Sequence, residues 1–292
     1  MAGSRSPVPQ SSGVVPSSPM TSGSLLKRWK LVLWTLAASV LLEIQAGISA
    51  GTETSRVGIG VSSMSEAHSG SLLGEYFRDF LAKRDVDEFR NRVAARYNEG
   101  TLGRILAGSS DVSARRAAVL SLGIFGSFDQ SNAALGRALR DEDLAVRSMA
   151  EDALWAVWFR AGTPAHNRAL EELRNAISQS RELVREQRTE QLNKAEALAT
   201  RLIADAPSFA EAYNQRAIIY FIQGRYFESA EDCQRVIERN PFHIGAIEGL
   251  AQCQLNLNRR RDALKSLRRA LKLRPHNSSL RESIHELEKN SE

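Results

Sequence analysis

Histidine and cysteine are scarce in this chain, which has five histidines and two cysteines among 292 residues. The histidines are scattered along the sequence, and they do not have the spacing of a metal-ligand motif. Neither cysteine lies in a pattern that supplies both a histidine base and a group to orient it, as a catalytic thiol needs. We therefore expect no metal, no cofactor and no enzymatic activity.

Long hydrophobic runs and strand patterns are also missing. The apolar run at residues 31–42 has twelve residues, fewer than the roughly 20 that cross a bilayer as a helix. No convincing pair of strands occurs, and the chain from Lys83 onward is rich in Ala, Leu, Arg and Glu, which favour helix. With 42% hydrophobic residues, the chain has enough apolar side chains for one or two packed domains, and we expect them to be all-α.

Residues 1–50 have the three parts of a secretory signal: a basic start, an apolar run and small residues near the end. The basic start supplies part of the net charge of +5, through Lys27, Arg28 and Lys30. The pattern predicts a cleaved signal peptide or a retained anchor that contacts the membrane through residues 31–50, with translation beginning at Met1 or Met20. Either form places the rest of the chain on the far side of the membrane, and a cytoplasmic location is the alternative.

Residues 51–71 are polar, rich in Ser and Gly and without periodicity, which is typical of a flexible linker. From residue 72 the pattern becomes helical, with one apolar stripe formed by Leu73, Tyr76, Phe77 and Phe80. A second short helix follows, and Asp85 is placed to cap its N-terminus.

Two similar segments begin at Asp111 and Asp143, and each follows a shorter apolar helix. Four residue types recur at the same offsets, in the first as Asp111, Arg115, Ala118 and Leu122 and in the second as Asp143, Arg147, Ala150 and Leu154. The aspartate can accept the free N–H groups of the first turn, and the arginine can reach a carboxylate or the neighbouring segment. Residues 101–161 resemble a pair of HEAT repeats, which implies HEAT-like helical hairpins over about 72–165.

Pro241 and Pro275 each end an amphipathic helix, and they are separated by the 34-residue period of the tetratricopeptide repeat. Counted from Ala210, the signature positions of that family are Tyr213, Arg216, Ala217, Tyr220, Ser229, Cys233 and Pro241, then Ile247, Leu250, Ala251, Gln254, Ala263, Leu267 and Pro275. This segment resembles tetratricopeptide repeats. The resemblance implies a repeat region at 170–290, with a degenerate repeat at 176–209, repeats at 210–243 and 244–277, and a C-terminal capping helix. The whole is expected to be an α-solenoid.

The residue types at these positions have physical reasons. Ala217 and Ser229 fall where the two helices of a hairpin come closest, so only small side chains fit. Gly224 and Asn258 fall at the turn, where a left-handed backbone is needed. Two departures from the family pattern predict looser packing, namely Arg216 at a usually apolar position and Gln254 in place of an aromatic residue.

In tetratricopeptide proteins the partner usually lies in a concave groove lined by the first helix of each repeat. The resemblance places nine residues in this groove: Glu211, Asn214, Gln215, Ile218, Phe221, Ile222, Glu248, Gln252 and Leu255. Amide and apolar side chains suit an extended or helical peptide with a few apolar anchors. The positions of the carboxylate clamp that binds chaperone C-termini are occupied by Ser180, Asn214, Gln215, Gly245 and Gly249, so the clamp is missing. The alternative is that one side of this surface only packs against the HEAT-like half.

Residues 258–274 hold eight basic residues against Asp262 alone. Four of them form a stripe along one helix face: Arg261, Lys265, Arg268 and Lys272. Such a stripe can bind anionic lipid or RNA, although no aromatic residues interleave to stack on bases. A solvated outer face of the helix is the alternative.

The repeat alignment places Cys233 and Cys253 on helices that pack together, so an oxidising compartment would allow a disulfide. Two small buried residues are the alternative. We expect a non-enzymatic scaffold that holds a protein or peptide in its groove, and the second hypothesis is an anion-binding adaptor that uses the basic stripe on a membrane surface or nucleic acid. A third, an enzyme related to HEAT-like lyases of pigment attachment, has only the analogy of fold behind it.

Overall fold

The computed structural model describes residues 71–289, which form thirteen helices and no strand, so the expected all-α fold is confirmed. The predicted signal segment and all but the last residue of the predicted linker lie outside the described residues. No helix within 71–289 has the length and apolar character needed to cross a membrane. In chain order the helices are α1 (Leu72–Lys83), α2 (Val86–Ala94), α3 (Glu99–Gly108), α4 (Val112–Phe125), α5 (Phe128–Ala138), α6 (Leu144–Phe159), α7 (Pro164–Ser180), α8 (Arg185–Asp205), α9 (Ala210–Ile222), α10 (Tyr226–Arg239), α11 (Ile244–Asn256), α12 (Arg260–Leu273) and α13 (Ser278–Lys289).

The N-terminal half is a stack of helices whose first turns are capped by aspartate. Asp85, Asp111 and Asp143 accept backbone N–H groups from the first turns of α2, α4 and α6 at 2.8 to 2.9 Å. Helices α3 and α4 form one hairpin, α5 and α6 form another, and α1, α4 and α6 lie side by side. The caps satisfy amide groups that the start of each helix leaves free.

Two ion pairs join the hairpins of this stack. Arg115 contacts Asp141 at 2.9 Å and Arg116 contacts Asp143 at 2.7 Å, with all four side chains largely buried. Arg115 therefore reaches the neighbouring hairpin, as the sequence predicts. Arg147 differs, since it donates to the backbone carbonyls that precede α6. The name HEAT-like stays a prediction for this half.

The C-terminal half continues as the hairpins α7/α8, α9/α10 and α11/α12, closed by α13. The close crossing is where it is expected, because Ser229 Oγ donates to the carbonyl of Ala217 at 2.8 Å and both residues are buried. Gly224 and Asn258 have φ values of +77° and +62°, which confirms the left-handed turns. The hairpin of α7 and α8 spans residues 164–205, so it begins well before the predicted degenerate repeat at 176–209.

Helix α6 joins the two halves by lying against the loop between α10 and α11. The ring of Trp158 stacks on His243 with 4.4 Å between centroids, and Trp155 meets the same ring edge-on at 5.2 Å. The Trp158 indole donates to Asn132, which in turn donates to Asn240 at 3.0 Å. Apolar residues of both halves consequently belong to one continuous core.

Two further contacts fix this junction. Gly136 of α5 faces the ring of Phe242 so closely that a Cβ atom there would lie 2.2 Å from the ring. Near the end of the repeats, Arg274 pairs with Glu151 of α6 at 2.8 Å and also with Glu248 of α11. The N-terminal stack is therefore packed into the repeats along most of α6.

Replacing Trp158 should separate the two halves more than it disturbs either one. Trp158→Ala removes the ring stacked on His243 and leaves Asn132 without its indole donor, so we expect a loss of about 3 to 5 kcal/mol in the free energy of unfolding. Urea unfolding followed by circular dichroism measures it. Phe227→Ala is the matched control, because Phe227 is 52% exposed and should cost little; equal stability of the two variants would contradict the described junction.

The close crossing of α9 and α10 predicts a second effect. Ala217→Trp should force the two helices apart and destabilise the chain by roughly 1 to 3 kcal/mol or more, because overpacking a filled interface requires shifts of the backbone. The same change at the exposed Ala197 of α8 should leave the melting temperature almost unaltered. An unchanged melt for Ala217→Trp would show that the helices are not in contact there.

Candidate partner-binding groove

The nine predicted groove residues lie on α9 and α11 and divide into a covered half and an open half. Glu211, Asn214 and Gln215, in the first half of α9, are 1%, 6% and 2% exposed. The remaining six are half-buried or exposed. The chain itself therefore occupies part of the surface that the family resemblance assigns to a partner.

A hydrogen-bonded carboxylate lies at the centre of the covered half. Glu211 Oε1 is 2.6 Å from His243 Nε2, and Asn214 donates to Oε2 at 3.1 Å. His243 Nδ1 accepts the backbone N–H of Ala246 at 3.0 Å, so the ring proton is on Nε2 and points at the carboxylate. Burial raises the pKa of Glu211, but His243, Asn214 and the charge of Arg174 outweigh it and hold the pKa below its ordinary value.

Arg174 of α7 closes the covered half from the side. Its guanidinium lies 3.9 Å over the ring of Phe159, the last residue of α6, and burial lowers its pKa. A partner cannot reach Glu211 in this arrangement without displacing α6 and α7. Sequence reasoning missed Arg174 and the tryptophans of α6 as parts of this surface, because no local pattern marks a contact between segments so far apart.

The open half of the groove consists of Ile218, Phe221, Ile222, Gln252 and Leu255. Ile222 is 37% exposed, and the half-buried Phe221 meets Tyr226 edge-on with 5.3 Å between centroids. Glu248, the ninth predicted residue, is held by Arg274 at the junction. What a partner can contact is thus mainly apolar, with the Gln252 amide as the polar group.

The positions of the carboxylate clamp have structural roles here. The Ser180 hydroxyl is buried and donates to the Ile177 carbonyl at 2.7 Å. Gly245 faces the ring of Trp155, and Gly249 faces the sulfur of Cys233. None of these three positions presents a cation to a ligand carboxylate.

The basic stripe of α12 is exposed along its length, at Arg261, Lys265, Arg268 and Lys272. Lys265 pairs with Asp262 at 2.9 Å and Arg268 with Glu288 at 2.6 Å, both in open solvent. Exposed pairs of this kind contribute little to stability. The stripe is therefore a solvated face that remains available to an anion.

Cys233 of α10 and Cys253 of α11 are both buried free thiols that contact each other. Cys253 donates to Ser229 Oγ at 3.2 Å. The contact with Cys253 and the burial raise the pKa of the Cys233 thiol. The disulfide between them stays a prediction. Residues 71–289 contain no cluster of His, Cys, Asp and Glu side chains suited to a metal ion.

Comparison with known proteins agrees with the repeat spacing. Two family profiles described as tetratricopeptide repeat match residues 210–243 and 245–277. A TPR repeat-containing protein of Rhizobium etli is 33% identical over 85 residues, which are 29% of this chain and 42% of that protein. The chain thus spans less than half the length of this curated relative.

Among solved structures, the TPR2AB domain:pHSP90 complex of yeast Sti1 has a TM-score of 0.35 and 18% sequence identity, over 74% of this chain and 95% of that one. The two profile matches coincide with the hairpins α9/α10 and α11/α12. These two hairpins of the chain are therefore similar to tetratricopeptide repeats.

Proposed function

We propose that the protein is a non-enzymatic scaffold that holds a segment of another protein against the open half of its groove. The observation that carries this proposal is the row of half-exposed apolar residues on α9 and α11, at Ile218, Phe221, Ile222 and Leu255. Such residues serve as pockets and contacts for a few apolar anchors of an extended or helical segment. Because the other half is filled by α6 and α7, only a short segment fits.

The partner segment is internal to its protein, or it has a free C-terminal carboxylate that the groove does not bind. The positions that would bind a terminal carboxylate carry no Lys or Arg, and those at Asn214 and Gln215 are covered. Apolar contact, rather than charge, therefore supplies the affinity. This separates the groove from the basic stripe of α12, whose charge favours an anionic partner.

We further propose a location for the protein and a supporting role for its N-terminal half. The sequence pattern of residues 1–50 favours export or anchoring with the repeats on the far side of a membrane. The HEAT-like stack at 72–165 then serves as a rigid support, since α6 fixes the first helices of the repeats from one side. Protease protection of intact cells tests the location: repeats digested only after lysis would exclude it.

Photo-crosslinking in intact cells tests the groove. A benzophenone amino acid replaces Ile222 in one variant and Leu255 in another, and the control carries it at Leu144, which is 70% exposed and lies at the start of α6, outside the predicted groove. We expect one and the same protein to be joined at Ile222 and Leu255 and not at Leu144, as mass spectrometry of the products will show. Equal labelling at Leu144 would mean non-specific contact.

Paired charge substitutions then test the energetics. Ile222→Asp together with Leu255→Asp should weaken capture of the identified protein at least about tenfold, while the melting temperature stays close to wild type, since neither side chain is buried. The interaction should survive about 0.5 M NaCl, because screening does not weaken apolar contacts. A steep loss with salt would assign the binding to the stripe of α12 instead.

A further inference from the structure

The first tetratricopeptide repeat fills the interface between α8 and α10 with aromatic rings and a paired charge. Arg216 of α9 donates to Asp232 from Nε and Nη2, at 2.7 and 3.0 Å. Its guanidinium lies 5.9 and 5.7 Å from the ring centroids of Tyr213 and Tyr220. The guanidinium of Arg225 lies 4.2 Å over the Tyr220 ring. Each of these large side chains packs against another, so together they fill the interface.

The second repeat leaves the equivalent interface, between α10 and α12, partly open. One repeat period later, the places of Tyr213, Arg216, Tyr220 and Asp232 are taken by Ile247, Leu250, Gln254 and Ser266. Ser266 Oγ donates to Gln254 Oε1 at 2.8 Å, which pairs these polar groups but does not fill the space of a ring. A cleft of about 250 Å³ remains.

The cleft lies where the missing side chains would be, since all four replacement residues line it. Gln234, Ile237, Asp262, Lys265 and Arg269 complete the lining. Ile237 and Ile247 lie beneath the lining and are closed to solvent, so the half-buried Leu250 is the apolar side chain that an occupant can contact. The volume is below the roughly 300 to 1,000 Å³ of small-molecule pockets. It suits one or two inserted side chains rather than a metabolite.

The rim of the cleft is positively charged. Lys265 and Arg269 line it, and Arg261, Arg268 and Lys272 lie on the same exposed side of α12 at helical spacing from Lys265. Within the cleft lining only Asp262 is acidic, and it is paired with Lys265. An occupant with negative charge beside its inserted group would therefore be favoured.

One cation of the filled interface is retained although its ring is absent. Arg259 is the counterpart of Arg225 one repeat later, and it is exposed. Arg225 lies over the ring of Tyr220, whereas the residue in the place of Tyr220 is Gln254. A guanidinium binds the face of an aromatic ring, so Arg259 is placed to cover a ring supplied from outside.

We propose that the cleft between α10 and α12 is a second docking site, which takes an acidic segment of a partner protein and one aromatic side chain of that segment. The aromatic side chain inserts against Leu250 beside Gln254, where the first repeat has its own tyrosine. Arg259 covers the ring, and the basic stripe of α12 contacts the flanking carboxylates. The site is separate from the groove of α9 and α11, and its failure would leave the groove proposal standing.

A labelled peptide tests the chemistry directly on the full chain. The probe is a fluorescein-labelled peptide with one central tryptophan and three glutamates on each side, and binding is followed by fluorescence anisotropy. Replacing the tryptophan by alanine, or the glutamates by lysines, should weaken binding at least about tenfold. Equal affinity for the alanine peptide would overturn the insertion of a ring, and absence of binding by the tryptophan peptide would overturn the site.

The repeat itself supplies the decisive variant. Gln254→Tyr restores the ring of the first repeat, so it should fill the cleft, keep or raise the melting temperature, and weaken the tryptophan peptide at least about tenfold. Asn256→Tyr, on the exposed end of the same helix, is the matched control and should bind like wild type. Wild-type affinity in Gln254→Tyr would overturn the proposal.

Arg259→Ala keeps the test independent of any folding defect in Gln254→Tyr, because Arg259 is exposed. This variant should weaken the tryptophan peptide several-fold and leave the alanine peptide unchanged, since only the ring is covered by the guanidinium. An equal effect on both peptides would assign Arg259 to general charge attraction and overturn its role. Sedimentation that shows dimers of the wild type but not of Gln254→Tyr would identify the occupant as a second copy instead.

Discussion

A single helical hairpin is too thin to cover its own apolar side, and this constraint governs the whole chain. Helix α9 shows it most clearly, because it has buried residues on nearly every face, from Ala210 to Tyr220. Helices α7, α8 and α10 each cover part of it. The stack therefore has to continue until something ends it, and α13 does so by turning Leu280 and Ile284 inward while its charged residues face solvent.

The same constraint explains why half of the groove is covered. In an open repeat array the concave side is exposed to solvent. Here Trp155 and Trp158 pack large apolar surfaces against that side. The Glu211–His243 contact is thereby removed from water, and a buried pair of this kind is costly to separate because each partner would be left unpaired. The junction is consequently a rigid part of the architecture, and what remains of the groove is short and apolar.

Local structure was predictable from sequence, because its causes lie within a few residues of each other. The caps at Asp85, Asp111 and Asp143, the left-handed turns at Gly224 and Asn258, and the contact of Ala217 with Ser229 all follow from near neighbours and a fixed period. The bond from Asn132 to Asn240 joins residues 108 positions apart, and no periodicity indicates it. Burial of Glu211 depends on that distant junction, so a groove residue and a core residue looked alike in the sequence.

The two repeat interfaces offer a comparison in which backbone and period are nearly constant and the side chains differ. In the first, the buried Asp232 carboxylate is held by both Arg216 and Arg235, at 2.7 and 2.6 Å. In the second, Leu250 and Ser266 take the places of Arg216 and Asp232. Both replacements are uncharged, so neither position holds a charge without its partner.

The open space of the second interface is harder to explain by stability. Filling a cleft of this kind is one of the easy ways to stabilise a protein, and a tyrosine at position 254 would do so with the geometry of the first repeat. Instead Leu250 remains partly exposed in the cleft, the rim carries Lys265 and Arg269, and Arg259 stands where the first repeat has the cation that covers its tyrosine. Together with Lys265, Arg259 also lowers the pKa of Asp262, just as Arg225 pairs with Glu228 one repeat earlier, so the ring is the part that the second repeat lacks and that another molecule can supply.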